Sequence, residues 1–430
     1  MGITYNFISE SIEACWHLTL CDPVTWRSLH GLAGAVEDSM PETKPDLGEV
    51  LTNHLDSVID GALAENRIVG TVVLVLQDGK FTYRRAAGYA DREAQVPMQE
   101  NGIFRLASLT KPIVSATAMA MVEEGKLDLD IPVTTWIPEF KPALLDGRVP
   151  EITLRQLLTH TAGLSYGFAE PEDGPYHRAN ISDGLDQPGL SARENLKRIA
   201  SVPLEYEPGT SWAYSVAADV AGEAIGRADH SSLPEAVERY VTGPLGLQDT
   251  SFSILDPARL VVPYADGSPR PTRMKDLQVV PCPYGSIRFA PGRVFDPDSY
   301  PSGGCGMVGT ADDFAKFLET LRTGGSPILT AGSVRMITTN QSSGRGRQPG
   351  VAFGFGMSVI IDPVMAGLPQ SPGTFAWGGV YGHSWFVDPT LGLTVVALTN
   401  TTGEGVFGQF PVEIRDAVYA ARNVASQGTA

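Results

Sequence analysis

The chain has 430 residues, of which 43 % are hydrophobic and 19 % charged, and its formal net charge is −17. This is globular composition, long enough for one large domain with an inserted lobe or for two to three domains, and the acidity argues against nucleic acid or an anionic membrane as partner. No apolar run approaches the roughly 20 residues of a membrane-spanning helix, and the N-terminus lacks the basic start and apolar stretch of a secretion signal, so a cytoplasmic protein that makes no use of a membrane is expected.

Residues 1–44 show no clear periodicity and end in the polar stretch EDSMPETKPD. They read as an N-terminal extension, and Met40 is an alternative start. The four cysteines are Cys15, Cys21, Cys282 and Cys305. None forms a C-x-x-C, so metal and redox spacings are absent. A Cys15–Cys21 disulfide stays open, although scattered thiols are the plainer reading. From Leu47, LGEVLTNHLDSVIDGALAEN carries apolar residues at helical spacing. GTVVLVLQ and KFTYRRAAGYA then flank Asp78-Gly79, a hairpin signal. PIVSATAMAMVEE is an apolar helix that stops at Gly125. Its Pro112 lacks an N–H and fits only a first turn, so the helix begins near Ser108 and puts Lys111 on the same face.

From about 134 to 299 the chain is rich in Pro, Gly and helical pieces: ITLRQLLTHTAG, SARENLKRIASV, SVAADVAGEAIGR and LPEAVERYVTGPLG. GGCGMVGTADDF is a glycine turn entering a helix capped by Thr310, with Asp312 and Asp313 in its first turn. FAWGGVYGHSWFV (375–387) reads as one strand and LTVVALT (393–399) as its partner. PVEIRDAVYAARN reads as a final helix. Strands at both ends with helices between them predict an α+β sandwich. One antiparallel sheet, built from residues 45–133 plus 300–430 and flanked by helices, would carry a mainly helical domain (134–299) inserted into it.

Two serines compete as nucleophile. Ser165 lies in GLSYG, which fits the nucleophile elbow G-x-S-x-G. That elbow needs a strand before the serine and a helix after it. Here a helix ends at Gly163 and a Pro- and Gly-broken loop follows. Its base would have to be His177, His230 or His383, and none sits in a persuasive setting. Ser108 opens S-L-T-K. A serine hydroxyl needs a base to take its proton, and in S-x-x-K the lysine amine lies one helical turn away. The amine must be neutral to serve as that base, a state favoured by burial, the helix N-terminus or a neighbouring cation. The helix start also directs backbone N–H groups toward a developing oxyanion.

SLTK, YSV (from Tyr214) and WGG (from Trp377) recur here in order, with LLTHTAGL, PLGLQDTSF and GGCGMVGTADDF. Together they resemble the serine β-lactamase and penicillin-binding-protein superfamily. More narrowly they resemble the family VIII carboxylesterases, from about residue 47 to the C-terminus. The resemblance implies that Ser108 is acylated, that Lys111 and Tyr214 share the base role, and that the amides of Ser108 and Val380 form the oxyanion hole. It also implies that Trp377, Gly378 and Gly379 line the site. A tyrosine acts as a base where a cation holds its phenolate, and Lys111 is that cation. His383, six residues after Trp377, would face the pocket on a regular strand, with a structural role as its alternative. His160 reads as structural, and Tyr166 or Phe168 as bordering the pocket.

Trp377 stands where β-lactamases carry a lysine, Gly378 where they carry a hydroxyl, and Val216 where they carry an asparagine amide. These departures favour short neutral esters over β-lactams. The expected activity is a serine carboxylesterase acting on a small-molecule ester, with no cofactor and no metal. The alternatives are an acyltransferase, and a D-amino-acid amidase or weak β-lactamase. A catalytically silent binding protein is disfavoured by the intact Ser108, Lys111 and Tyr214. Natural substrate and oligomeric state are left open.

Overall fold

The computed structural model describes residues 47–427 apart from Tyr284. The extension, Met40, Cys15 and Cys21 lie outside the described residues. Helix α1 (Leu47–Ala64) leads into strands β1 (Gly70–Gln77), β2 (Lys80–Asp91) and β3 (Val96–Pro97). Helices α2 (Thr110–Glu123), α3 (Ala217–Ala228) and α4 (Ala311–Arg322) follow. Strands β4 (Val351–Phe353), β5 (Ser358–Ile360), β6 (Phe375–Gly379), β7 (His383–Asp388) and β8 (Leu393–Thr399) precede helix α5 (Phe410–Gln427). The eight strands form one antiparallel sheet in the order β4-β5-β6-β7-β8-β1-β2-β3. Its two sequence halves meet where β1 pairs with β8, with Val73 opposite Ala397.

The hydrophobic pattern explains the layering. All of β1 except Gln77 is buried. Val73 and Val75 pack toward α1 and α5 with Leu55, Ile59, Phe410 and Ile414. Val72, Leu74 and Leu76 point the other way, into a core with Ile113 of α2 and Phe314 and Phe317 of α4. A strand covered on both faces reads as an unbroken apolar run. Asp78 (φ 50°) and Gly79 (φ 77°) make the expected two-residue turn, since a primed turn needs positive φ at both central positions. Thr310 caps α4 as expected, its side chain accepting from the Asp313 amide.

Two expectations change. Residues 375–387 are not one strand: β6 and β7 form a hairpin reversed at 380–382, with Gly379 opposite His383. Gly382 has φ 114°, and a Cβ there would lie 2.2 Å from the Thr401 carbonyl oxygen, so only glycine permits the reversal. The stretch 134–299 contains the expected helical pieces Leu154–Leu158, Ala192–Ala200, α3 and Leu233–Val237. It also contains two unanticipated hairpins, Tyr264–Ala265 with Thr272–Arg273 and Gln278–Cys282 with Gly285–Phe289. The second brings Val280, Ile287 and Phe289 into an apolar cluster with Ala107, Cys305, Val380 and Tyr381.

Candidate active site

Ser108 sits in a 3-10 turn, Ala107–Leu109, that runs straight into α2. Ala107 has φ 47°, a left-handed conformation that costs a non-glycine residue energy and recurs at functional turns. The turn is pinned by Leu106 N–H to the Met307 carbonyl and by Met307 N–H to the Thr110 hydroxyl. Helix α2 is buried from Thr110 to Met121, which explains why its sequence is apolar all round. Lys111 is enclosed with it at 1 % exposure. Its Nζ donates to Ser108 Oγ (3.1 Å) and to the Gly304 carbonyl (2.9 Å).

Tyr214 arrives from the loop before α3, with Oη 2.8 Å from Ser108 Oγ. The Trp377 indole N–H donates to the same Oη at 3.2 Å. The Lys111 ammonium lies 4.7 Å from the Tyr214 ring centre and 5.4 Å from that of Tyr166. His160 braces the tyrosine from behind, its ring 4.8 Å from that of Tyr214. The Ser215 amide donates to His160 Nδ1. Burial, with the Lys111 charge, lowers the His160 pKa well below the usual histidine value, so this ring is a neutral wedge.

The sequence leaves the proton of the Lys111–Tyr214 pair unassigned. Burial by itself would strip the Lys111 proton. The negative charge that Tyr214 and Asp219 can present around it more than offsets that, and holds its pKa above the ordinary lysine value. Lys111 is therefore the ammonium partner of Tyr214. Burial also pushes the Cys305 thiol up, so a neutral thiol lies with Sγ 4.0 Å from Ser108 Oγ. Asp219 of α3 accepts from Ser302 Oγ (2.6 Å) and from the Gly304 amide (3.2 Å). It thereby fixes the loop whose carbonyl holds Lys111. Sequence reading quoted GGCGMVG but missed Gly304, Cys305 and Asp219 as parts of the site. Asp219 shows only as an acidic residue in the first turn of a small-residue helix.

Trp377, Gly378 and Gly379 end β6 against the nucleophile turn. A Cβ on Gly379 would lie 2.6 Å from the Leu106 carbonyl oxygen and 2.9 Å from Leu109. Only glycine lets this strand end sit on the turn, and the amide that follows belongs to Val380. Gly379→Ala is expected to lower kcat about 100-fold, with a smaller change in KM, because it displaces the Val380 amide, the oxyanion donor that the resemblance implies. Steady-state kinetics on p-nitrophenyl butyrate measure it, and unchanged kcat would disconnect this strand end from catalysis.

His383 is a correction. The β6–β7 reversal turns it away from the pocket, and it is 1 % exposed. Its Nε2 lies 2.9 Å from the Arg105 carbonyl, so that nitrogen carries the proton, and its ring meets Phe104 edge-on. Nδ1 is buried without a partner. Burial pushes its pKa down to about 4. The unfolded chain therefore binds this proton first as pH falls below about 6.5, and the folded state resists until about 4. Over that window stability is lost, on the order of 3 kcal/mol. His383→Gln, which keeps an N–H donor, is expected to lose less Tm than the wild type between pH 7 and pH 4.5, with neutral-pH turnover kept within about threefold. Equal acid losses in thermal melts would refute this role.

Ser165 is buried at 3 % exposure and is not an elbow. It follows the short helix Leu154–Leu158 and precedes a single 3-10 turn, Gly167–Ala169. Its N–H donates to Tyr176 Oη, and its carbonyl accepts from the Val216 amide. Gly163 has φ 82°, and a Cβ there would lie 2.4 Å from the Tyr206 carbonyl oxygen, so this first glycine of the motif serves the turn. Tyr166 does reach the site, stacked on Phe168 and 5.1 Å from the Tyr214 ring.

Among the described residues no group of three or more His, Cys, Asp or Glu side chains is placed to hold a metal ion, and no helix is long and apolar enough to cross a membrane. The family model described as Beta-lactamase matches residues 55–418. The chain is 49 % identical over 376 residues to Esterase EstB of Burkholderia gladioli, covering 86 % of this chain and 95 % of that protein. It is 26 % identical over 370 residues to Lovastatin esterase of Penicillium rubens, covering 78 % and 89 %. A solved structure described as EstCE1, a hydrolase with promiscuous acyltransferase activity, matches with a TM-score of 0.84 at 43 % identity, covering 86 % of this chain and 99 % of that one. With Ser108, Lys111, Tyr214 and Trp377 meeting at one point, and with the Beta-lactamase family model matching most of its length, the chain belongs to the beta-lactamase family, on the branch of the family VIII carboxylesterases.

Proposed function

We propose that the protein is a serine esterase that hydrolyses short-chain carboxylic esters through an acyl-enzyme on Ser108. The observation that carries this reading is the convergence of Tyr214 Oη (2.8 Å) and Lys111 Nζ (3.1 Å) on Ser108 Oγ. Tyr214, its negative charge balanced by the Lys111 ammonium and the Trp377 indole N–H, takes the Ser108 proton as Oγ bonds to the ester carbon. The amides of Ser108 and Val380 receive the oxyanion. The bond to the alkoxy oxygen breaks, and Tyr214 gives its proton to the departing alcohol. A water then attacks the acyl carbon while Tyr214 takes its proton. The acid leaves, and Ser108 recovers its proton.

The sheet's strands all lie outside 134–299. That placement supports an α/β domain of 45–133 plus 300–430 with the stretch 134–299 inserted as its own lobe.

Acyl transfer to an alcohol is the second reading, favoured by the similarity to EstCE1, a hydrolase with promiscuous acyltransferase activity. The test is p-nitrophenyl butyrate turnover with and without added benzyl alcohol, with both butyrate and benzyl butyrate quantified. Butyrate is expected as the main product without alcohol, and a transfer product in excess of butyrate at low alcohol would make the protein an acyltransferase. Nitrocefin turnover is expected to be slow, because Trp377, Gly378 and Val216 supply neither cation nor amide.

A further inference from the structure

A cavity of about 440 Å³ reaches Cys305, the neighbour of Ser108, without Ser108 itself lining it. Cys305 and Tyr381 line it, the first 4.0 Å from Ser108 Oγ and the second next in sequence to Val380. Its walls are largely apolar, with Leu185, Phe252 and Met307 among them, yet two guanidinium groups, Arg105 and Arg293, reach it. Neither forms an ion pair with a carboxylate among the described residues. Arg105 donates only to the neutral carbonyls of Pro291 and Val261. Arg293 donates from one nitrogen to the Tyr300 carbonyl and stacks on the Tyr300 ring at 4.7 Å. Its Nε is buried without a partner.

Carboxylates stand in the neighbourhood but are engaged elsewhere. Asp296 lines the cavity and accepts from the Asp298 amide. Asp276 accepts from the Gly292 amide, and Asp186 from the Ser182 hydroxyl. Burial pulls the Arg105 guanidinium below its ordinary value, against the opposing pull of Tyr381 and Asp276. Two arginines without an ion pair among the described residues, Arg293 acted on by Asp186 and Asp219 only through space, favour an anion in a largely apolar pocket, where charge-assisted hydrogen bonds are the strong ones.

The direction follows from the reaction. Three groups leave the reacting carbon: the oxyanion points at the amides of Ser108 and Val380, and the leaving alcohol points at its proton donor Tyr214. The remaining substituent is the acyl chain, and Cys305, which lies 4.0 Å from Ser108 Oγ and lines the cavity, links the reacting serine to it. We propose that this cavity is the acyl subsite and that Arg293, backed by Arg105, binds a carboxylate at the far end of the acyl chain. The preferred substrates are then monoesters of dicarboxylic acids.

This rests on the esterase reading, and the test separates the two. Ethyl hydrogen esters of succinate through suberate are compared with ethyl esters of neutral acids of matched length, with ethanol release as the readout. One member of the dicarboxylate series is expected to exceed its neutral match by about tenfold in kcat/KM at low salt, since a charge-assisted hydrogen bond supplies that much. Ethyl 4-(butanoyloxy)butanoate hydrolysed to its free carboxylate, which places the charge on the alcohol side, is expected to show no such gain over butyl butyrate. In Arg293→Gln the preference ratio is expected to fall to about one. On the wild type alone, the free dicarboxylate of best length is expected to inhibit competitively, more strongly than the matched monocarboxylate. Turnover of neutral esters with no preference in the series, or a ratio that survives in Arg293→Gln, overturns the subsite and leaves the esterase reading standing. No turnover of any ester overturns the esterase reading itself.

Discussion

Ser108→Ala is expected to abolish ester turnover, by about 10⁴-fold or more in kcat, and to prevent acylation altogether. The loss is large because nothing nearby replaces the hydroxyl. Cys305 Sγ lies 4.0 Å away, but burial keeps it a neutral thiol, which is a poor nucleophile. The paired variant Ser165→Ala is expected to keep turnover within about threefold, since only a buried hydroxyl outside the site is removed. Its backbone contacts to Tyr176 and Val216 survive the substitution. Kinetics on p-nitrophenyl acetate and butyrate, with intact-protein mass spectrometry for the acyl adduct, decide between the two serines. Turnover surviving in Ser108→Ala, or lost in Ser165→Ala, would reverse the assignment.

The second large effect concerns the base. Tyr214→Phe removes the oxygen 2.8 Å from Ser108 Oγ and is expected to lower kcat/KM by about 10³-fold, within the usual range for a positioned proton carrier. Lys111→Met removes the enclosed ammonium and fills its space with an unbranched apolar chain. Its expected loss is of the same order. The double variant is expected to lose little beyond either single one, because the two groups hold one proton between them and act as a unit. Full additivity, near 10⁶-fold, would mean that each has a separate task. Thermal melts of all three variants guard against unfolding. Lys111→Met leaves the Gly304 carbonyl without its donor, so a modest fall in Tm is expected.

Much of the fold was legible because its signals are local. Asp78-Gly79 between two β-branched runs specifies a hairpin through the φ values its turn demands. Pro112 fixes where α2 can begin, and Thr310 caps α4. The three-residue spacing of Ser108 and Lys111 places both on one helical face without any tertiary information. His383 was misplaced for a related reason: periodicity along FAWGGVYGHSWFV assumes a straight strand. The Tyr381-Gly382 pair inside it was the available sign of a reversal, and Gly382 is what permits it.

The sequence by itself determined the opening helix, the β1–β2 hairpin, the start of α2, the cap of α4, the Ser108–Lys111 pair and the glycines that end β6. Only the tertiary structure decided that Tyr214, Gly304 and Trp377 meet at Ser108 across separations of more than 100 residues. It also decided that Asp219 anchors the loop holding Lys111, and that Arg105 and Arg293 share a cavity with Cys305. The physical reason is range. Turn, cap and helix preferences act over a few residues and are written into each segment. The charge state of Lys111 and the chemistry of the cavity depend on what burial removes from water and on which distant groups are brought within hydrogen-bond reach, and no short window of the chain contains that.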